Sequence, residues 1–222
     1  MLNNRKKILE ISKEFANICD KNQVWYSLDK DSLLGAVRHG GFIPWVIKTE
    51  FFITLEGFNK LKRLFPDNIV DSSIHKDWRK MSFIWVRDSN NWKKSNAFVN
   101  IRVAVPTTVK KVKKYLSRKF EIKNLIKKKK INIKNVINSL YEREKFQGYY
   151  LPDSSKKNMD KHNWIQNLTF DQEKINFSGF DFKIAKEWKK IINYWYGDFY
   201  MEYEIPNKIF DYSTPLEIKE VK

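Results

Sequence analysis

"SLLGAVRHGGFIPWVIKTEFFIT", residues 32–54, carries the plan of the domain in its punctuation and apolar pattern. Just upstream, Gln23 to Leu28 (QVWYSL) reads as a short strand. Ser32 to Val37 then reads as a turn entering a short helix. Gly40-Gly41 stop it, and Pro44 keeps the next segment extended. Glu50 to Leu55 (EFFITL) is a second strand pattern, rich in aromatic and β-branched residues. Strand, short helix, strand within about thirty residues points to an α+β domain built on a mixed sheet.

The rest of the chain agrees with that plan. Residues 4–20 place Ile8, Ile11, Phe15, Ile18 and Cys19 at helical spacing. Glu56 to Phe65 repeats the pattern with Phe58, Leu61, Leu64 and Phe65, and Pro66 ends it. Ile69 to His75, Ser82 to Arg87 and Ala97 to Val105 read as strands, with Asp88-Ser-Asn-Asn as a hairpin connection. Lys110 to Asn138 reads as core helices with a lysine-covered outer face, densest at Lys127 to Lys130. Residues 147–163 read as a loop, Ile184 to Tyr196 as a helix closed by Gly197, and Tyr203 to Lys222 as an irregular tail. The expectation is a single domain over 1–222, with a sheet-bearing core over 1–106 and a helical and C-terminal elaboration over 107–222.

Composition narrows the class. Of 222 residues, 42% are hydrophobic and 15% aromatic, enough for a real core, so disorder is excluded for the bulk of the chain. No apolar run approaches 18 residues and the N-terminus lacks a signal-type apolar region, so the expected location is cytoplasmic, with peripheral membrane contact allowed. The single Cys19 rules out an internal disulfide and a multi-cysteine zinc site; its helical setting makes it a core residue. The net charge of +17 raises nucleic acid as a partner. Only eight of the 43 basic residues are arginine, however, and base readout and bidentate phosphate clamping favour arginine. A diffuse lysine excess suits an anionic membrane surface or a polyanionic glycan at least as well.

Chemically, the quoted stretch looks like a grip for phosphate. Ser32, at a strand-to-helix turn, can offer a hydroxyl and a backbone N–H to a phosphate. Arg38 has a fork of parallel donors, and His39 can add another donor or orient a leaving group. Gly40-Gly41 permit close backbone approach. The plainer alternative is a strand–turn–helix unit with a surface arginine and a C-cap glycine.

The run from Ser32 to Trp45 resembles the hallmark of the LicD family, which shares a nucleotidyltransferase-like fold with fukutin and its relatives. That pattern runs roughly G-[ST]-L-L-G-A-V-R-H-x-G-F-I-P-W-D-D-D-I-D. Looser likenesses follow in the same order: Asn3 to Trp25 to the leading helix and first strand, Phe177-Ser-Gly179 to an F-x-G strand, and Tyr196-Gly-Asp-Phe-Tyr200 with Pro206 to a closing Y-G-D-x-[YW]…P motif. The resemblance implies a metal-dependent transferase in cell-surface glycan biosynthesis, including teichoic acid and lipopolysaccharide. Such an enzyme moves phosphocholine or a phosphorylated polyol or sugar from a nucleotide-activated donor to a glycan acceptor. It also implies two metal-binding Asp in the acidic segment and a third carboxylate from a later strand, as Mg²⁺ or Mn²⁺ chemistry on a pyrophosphate needs.

Here the sequence departs from the family. The acidic segment reads Val46-Ile47-Lys48-Thr49-Glu50, so the two metal positions are Lys48 and Glu50 and only Glu50 keeps a carboxylate. The glycine before Ser32 is Asp31. In Val99-Asn100-Ile101-Arg102-Val103 the third carboxylate has become Asn100 or Arg102, depending on register. Lys48 and Arg102 could neutralise a phosphate or pair with Glu50; Lys48 could equally point to solvent. Asp31 and Asp29 are candidates to replace the lost base, beside Glu50. Three readings follow: a pseudoenzyme or altered transferase that binds a phosphorylated ligand, an active phosphotransferase with a rebuilt site using Mg²⁺ or Mn²⁺, and a basic nucleic-acid- or membrane-binding module.

Overall fold

A computed structural model describes residues 2–75, 82–94, 97–117, 133–152, 163–198 and 200–202. Helix α1 (Leu2–Lys21) leads into β1 (Tyr26–Leu28), α2 (Lys30–His39), β2 (Thr49–Thr54) and α3 (Leu55–Leu64). Then come β3 (Ile69–Val70), β4 (Phe83–Trp85), β5 (Val99–Thr107), α4 (Val109–Ser117) and α5 (Ile133–Leu140). The chain continues with β6 (Gly148–Tyr150), β7 (Trp164–Ile165), the pair β8 (Gln172–Phe177) and β9 (Phe180–Ala185), and α6 (Trp188–Tyr196). The main sheet has the order β1-β2-β5-β4-β3, and β6 and β7 extend it from the far end of β5. Among the described strands only β2 and β5 run parallel. This mixed α+β architecture is consistent with a nucleotidyltransferase-like fold.

The apolar stripe of α1 makes the core. Phe15 meets Phe51 at 5.2 Å and Trp85 at 5.5 Å between ring centroids. Phe51 also reaches Phe182 of β9, so the β8–β9 hairpin closes over the same core. Cys19 is fully buried among these residues. The hairpin docks on β1 by polar contacts as well: Ala185 N–H donates to Ser27 Oγ at 3.0 Å, and Gln172 Nε2 donates to the Tyr26 carbonyl at 2.5 Å.

Several elements differ from their expected bounds, each for a local reason. The strand expected over Ile69 to His75 stops at Val70, because Asp71 turns the chain: its Oδ1 accepts from Ser73 N–H at 2.6 Å and Ile74 N–H at 3.1 Å. Asp88 likewise forms a turn, accepting from Asn90 N–H at 2.8 Å. A short 3₁₀ segment over Trp92–Lys94 follows, so β4 and β5 pair through a longer connection than a tight hairpin. Within the expected loop 147–163, Gly148–Tyr150 is a strand on the end of β5, and a Cβ at Gly148 would come within 2.6 Å of the Trp164 ring. The expected helix 184–196 begins only at Trp188, because Phe182 and Ile184 alternate inward as part of β9. Phe177-Ser-Gly179 opens the β8–β9 turn, with Ser178 at φ 53° and Gly179 at φ 81°, the twist that two-residue hairpins favour. Lys127 to Lys130 and the tail from Tyr203 lie outside the described residues. Strand β5 runs through residues 106 and 107, and β6 and β7 hydrogen-bond into the same sheet as β1 to β5.

Candidate functional site

The site lies where the N-terminus of α2 meets the start of β2. Asp29 caps α2, with extended backbone and its side chain accepting from Lys30 N–H at 2.9 Å. The helix ends on Gly40, whose φ of 62° is left-handed and suits glycine. The close approach expected of the glycines is made inside the turn: a Cβ at Gly35 would stand 2.4 Å from the Gly41 carbonyl oxygen, and one at Gly41 2.4 Å from Ser178 Oγ. Arg5 of α1 braces the turn by donating to the carbonyls of Ile43 (2.9 Å), Pro44 and Val46 (3.2 Å).

Glu50 is held on every side by α2. Its carbonyl accepts from Asp29 N–H at 2.9 Å, and its own N–H donates to Ser32 Oγ at 2.8 Å. Its carboxylate Oε2 accepts from Asp31 N–H, in the first turn of α2, at 3.3 Å. A helix N-terminus is the natural seat of an anion. Here the anion is the chain's own side chain. The two groups Ser32 could offer a phosphate are engaged within the protein, since its N–H donates to the Asp29 carbonyl at 2.9 Å and the residue is buried.

Lys48 does not point to solvent. Its ammonium lies 3.0 Å from Asp31 Oδ2 and 3.1 Å from Glu50 Oε1, with the side chain 10% exposed. The strand register fixes the neighbours of the two candidate positions on β5. Asn100 pairs with Glu50 and Arg102 with Phe52. Arg102 does not reach for Glu50; it forms a bidentate pair with Asp29, Nε to Oδ2 at 2.6 Å and NH2 to Oδ1 at 2.7 Å. It also donates to Asn163 Oδ1 at 2.8 Å and lies over the Trp195 ring at 5.4 Å. Asp29 is fully buried in this pair, so it cannot meet an acceptor hydroxyl as a base. Arg38 turns towards the C-terminal segment, donating to the carbonyls of Tyr200 (3.3 Å) and Glu202 (3.0 Å) and to His39 Nε2 (3.1 Å).

The cluster thus holds three carboxylates, Asp29, Asp31 and Glu50, against two cations, Lys48 and Arg102. Burial raises the Glu50 carboxyl above its ordinary value; Lys48 lowers it and Asp31 opposes Lys48. Burial also acts to raise Asp31, but the charge and hydrogen bond of Lys48 overcome it and hold that carboxyl below the ordinary range. Tyr196, whose hydroxyl stands 3.5 Å from Asp31 Oδ1, is pushed well above a normal phenol by burial and then by the neighbouring carboxylates. Burial, and then the Arg38 charge, lower His39.

Tested against a divalent ion, these residues do not fit. The ammonium of Lys48 stands between the two carboxylates that could face such an ion, and neither Asn100 nor Arg102 of β5 brings a further carboxylate. Among the described residues no group of three His, Cys, Asp or Glu side chains is arranged to hold a metal. Asn163 and Trp195, both built into the cluster, carry no sequence signal of their own. Arg5 is one of several basic residues on α1, beside Lys6, Lys7 and Lys13, and no sequence signal sets it apart from them.

The sheet order and the helix at the head of β2 define a nucleotidyltransferase-like domain. Residues 23–131 match the family model described as LicD/FKTN/FKRP, nucleotidyltransferase domain, which supports membership of the LicD family. That family is of glycan- and phosphotransferase type. No curated protein matches the chain. Among the described residues no helix is long and apolar enough to cross a membrane.

Proposed function

We propose that this protein is a LicD-family pseudoenzyme, or strongly altered transferase, of cell-surface glycan biosynthesis that binds a phosphorylated ligand without a metal. The observation that carries the reading is the placement of Lys48 Nζ between Asp31 Oδ2 and Glu50 Oε1, at 3.0 and 3.1 Å. A fixed ammonium supplies positive charge where the family resemblance implies Mg²⁺ or Mn²⁺. It supplies no second coordination position and so cannot organise a pyrophosphate and an acceptor hydroxyl around one ion. A phosphorylated ligand would enter by displacing the Glu50 carboxylate from Lys48 and the α2 N-terminus. The raised affinity of Glu50 for a proton eases that exchange. The lysine-rich surface, with a net charge of +17, suits work at the cytoplasmic face of an anionic membrane.

The test is a thermal-shift titration of the full chain with CDP, CDP-choline and CDP-ribitol, each with and without Mn²⁺. A ligand that binds only the folded state raises Tm by mass action. The expected result is a rise that is the same with and without Mn²⁺. A rise that requires Mn²⁺ overturns the reading, and no rise removes the phosphorylated ligand from it.

One observation favours a second reading, an active transferase with a rebuilt site. Asp31 and Glu50 share one ammonium yet are pushed in opposite directions, Asp31 down and Glu50 up. Two carboxyls driven apart in this way are the usual equipment for paired base and acid. Release of free choline phosphate or cytidine monophosphate from CDP-choline by wild-type protein, abolished in Glu50→Gln, would favour this second reading.

A further inference from the structure

The positive charge of the chain is not spread evenly. In the sequence, residues 110–134 hold twelve basic side chains and a single acid, Glu121. Helix α4 shows how this charge is presented. Val112 and Tyr115 are buried in the core, while Lys110, Lys113 and Lys114 are exposed on the opposite side. They stand at i, i+3 and i+4, one stripe of the helix. Lys134, in the first turn of α5, is exposed as well. The segment after α5 folds back beside this stripe. Glu142 N–H donates to the Pro106 carbonyl and Gln147 N–H to the Thr107 carbonyl, both at 2.8 Å. Val109 N–H, at the start of α4, donates to Gln147 Oε1 at 3.0 Å. The segment presents two large aromatic side chains, Tyr141 at 39% and Phe146 at 46% exposed. Arg143 and Lys145 stand exposed between them. Of the two acids there, Glu142 is taken up by Lys111 at 3.2 Å, and Glu144 is exposed.

We infer that this face, the lysine stripe of α4 with Tyr141 and Phe146 beside it, is where the protein docks on a bilayer of anionic lipids. The inference rests on the reading of the lysine excess as a membrane property and gives that property a place. Solvated lysines gathered on one face attract anionic headgroups, and salt weakens the attraction. Aromatic rings exposed beside them suit the headgroup level, where an apolar ring can enter and a polar edge stays wet. Helix α4 keeps its apolar side in the core, so the contact is docking and not insertion. The α4 stripe is all lysine, whereas gripping the phosphates of a nucleic acid favours arginine. The face lies at the far end of β5 from the charged cluster. Asn100 and Arg102 stand near the start of that strand and α4 follows its end, roughly 20 Å away at the usual rise of a strand. Docking on lipid and binding at the Lys48 site can therefore be disabled one at a time.

The experiment is co-sedimentation of the full chain with phosphatidylcholine vesicles and with vesicles that also carry phosphatidylglycerol, at low and high salt. Wild type is compared with Lys110→Gln/Lys113→Gln/Lys114→Gln and with Tyr141→Ala/Phe146→Ser. A control, Lys6→Gln/Lys7→Gln/Lys174→Gln, removes three exposed lysines elsewhere. Wild type should bind only the anionic vesicles, and high salt should release it. Each lysine near an anionic surface contributes about a fivefold factor, so the α4 triple should bind about a hundredfold more weakly. Loss of the two rings should weaken binding about tenfold. The control triple should change it less than about threefold, because charges beyond a Debye length are screened. All the replaced side chains are exposed, so Tm should stay near wild type and a loss of binding is not a loss of fold. Equal losses in the two lysine triples would make the attraction diffuse and overturn the proposal. So would equal binding to neutral vesicles, binding to no vesicle, or tighter binding to a DNA duplex through the same lysines, which would make this a nucleic-acid face. The thermal shift with CDP should be the same in the α4 triple as in wild type. A shift that requires Mn²⁺, with vesicle binding unchanged, would overturn the proposed function and spare the docking face.

Discussion

Two charged centres lie side by side at the head of β2, and they are built in opposite ways. Asp29 and Arg102 are both buried and joined by two short parallel hydrogen bonds, with Asn163 and Trp195 completing the guanidinium's surroundings. Lys48, Asp31 and Glu50 are joined by longer single contacts of 3.0 and 3.1 Å, and Asp31 keeps 30% of its side chain exposed. The first pair is a closed structural lock: each of the three guanidinium nitrogens of Arg102 has a fixed acceptor. The second is a shared ammonium between two carboxyls with opposite shifts, open enough for a proton or an anion to change its partners. The two centres thus differ in kind: one contact is closed and the other is left adjustable.

The largest effect should come from breaking the lock. Arg102→Ala leaves Asp29 charged, buried and unpaired, which costs about 3–5 kcal/mol. In a chain of this size that is a fall in Tm of more than about 6 °C. A Tm within a degree or two of wild type would show that the pair is not a lock. The double variant Asp29→Asn/Arg102→Met should recover most of the loss, because asparagine still caps a helix and methionine fills the space without a charge.

Lys48 should matter less for stability and more for ions. Lys48→Met should cost about 1–3 kcal/mol in denaturant unfolding, because Asp31 is partly solvated and Glu50 can take up a proton. Lys48→Asp should lose stability without metal and regain it on adding Mn²⁺, read as a Tm rise that wild type lacks. Equal Mn²⁺ responses in the two proteins would mean that the ammonium does not stand in for the ion.

A subtler difference lies in pH. The folded protein raises Glu50 above its ordinary value of 4.5, so its contribution is present below that pH and is lost as pH rises through the folded value. Asp31 runs the other way: its depressed carboxyl contributes above its ordinary value of 3.8 and fails as pH falls below it. Replacing Glu50 by glutamine removes the first effect only. The Tm of Glu50→Gln relative to wild type should therefore climb as pH rises above 4.5. A flat or falling difference would place the Glu50 shift in the wrong direction.

The smallest effect is expected where charge pairing is only surface dressing. Arg87 and Glu14 meet at 2.5 Å but keep 63% and 45% of their side chains exposed. Arg87→Ala should change stability by no more than about 0.5 kcal/mol. A larger loss would mean that solvent screening does not separate this pair from the two inner centres.

How much of this was legible can be followed residue by residue. The stretch from Gln23 to Leu55 announced a strand–helix–strand unit, and the run from Ser32 to Trp45 within it the family resemblance; both stand. Proline fixes its own φ, glycine marks places where other residues would be strained, and apolar periodicity survives in the sequence without knowledge of partners. The β8–β9 hairpin and α6 were blurred together, because Phe182 and Ile184 followed by the helix run smoothly in hydrophobicity. Only the pairing of β9 with β8 shows where the period changes from 2 to 3.6.

Order along the chain, set beside the family resemblance, leads to the expectation of acidic residues where Lys48 and Glu50 stand and of a third at Asn100 or Arg102. Which of the two faces Glu50, whether Lys48 turns inward, and that Asp29 belongs to Arg102 were decided only by the tertiary structure. Ion pairing depends on distances between segments 19, 61 and 73 residues apart in sequence. Those distances are set by the β2–β5 register and the docking of α6, and no local pattern records them.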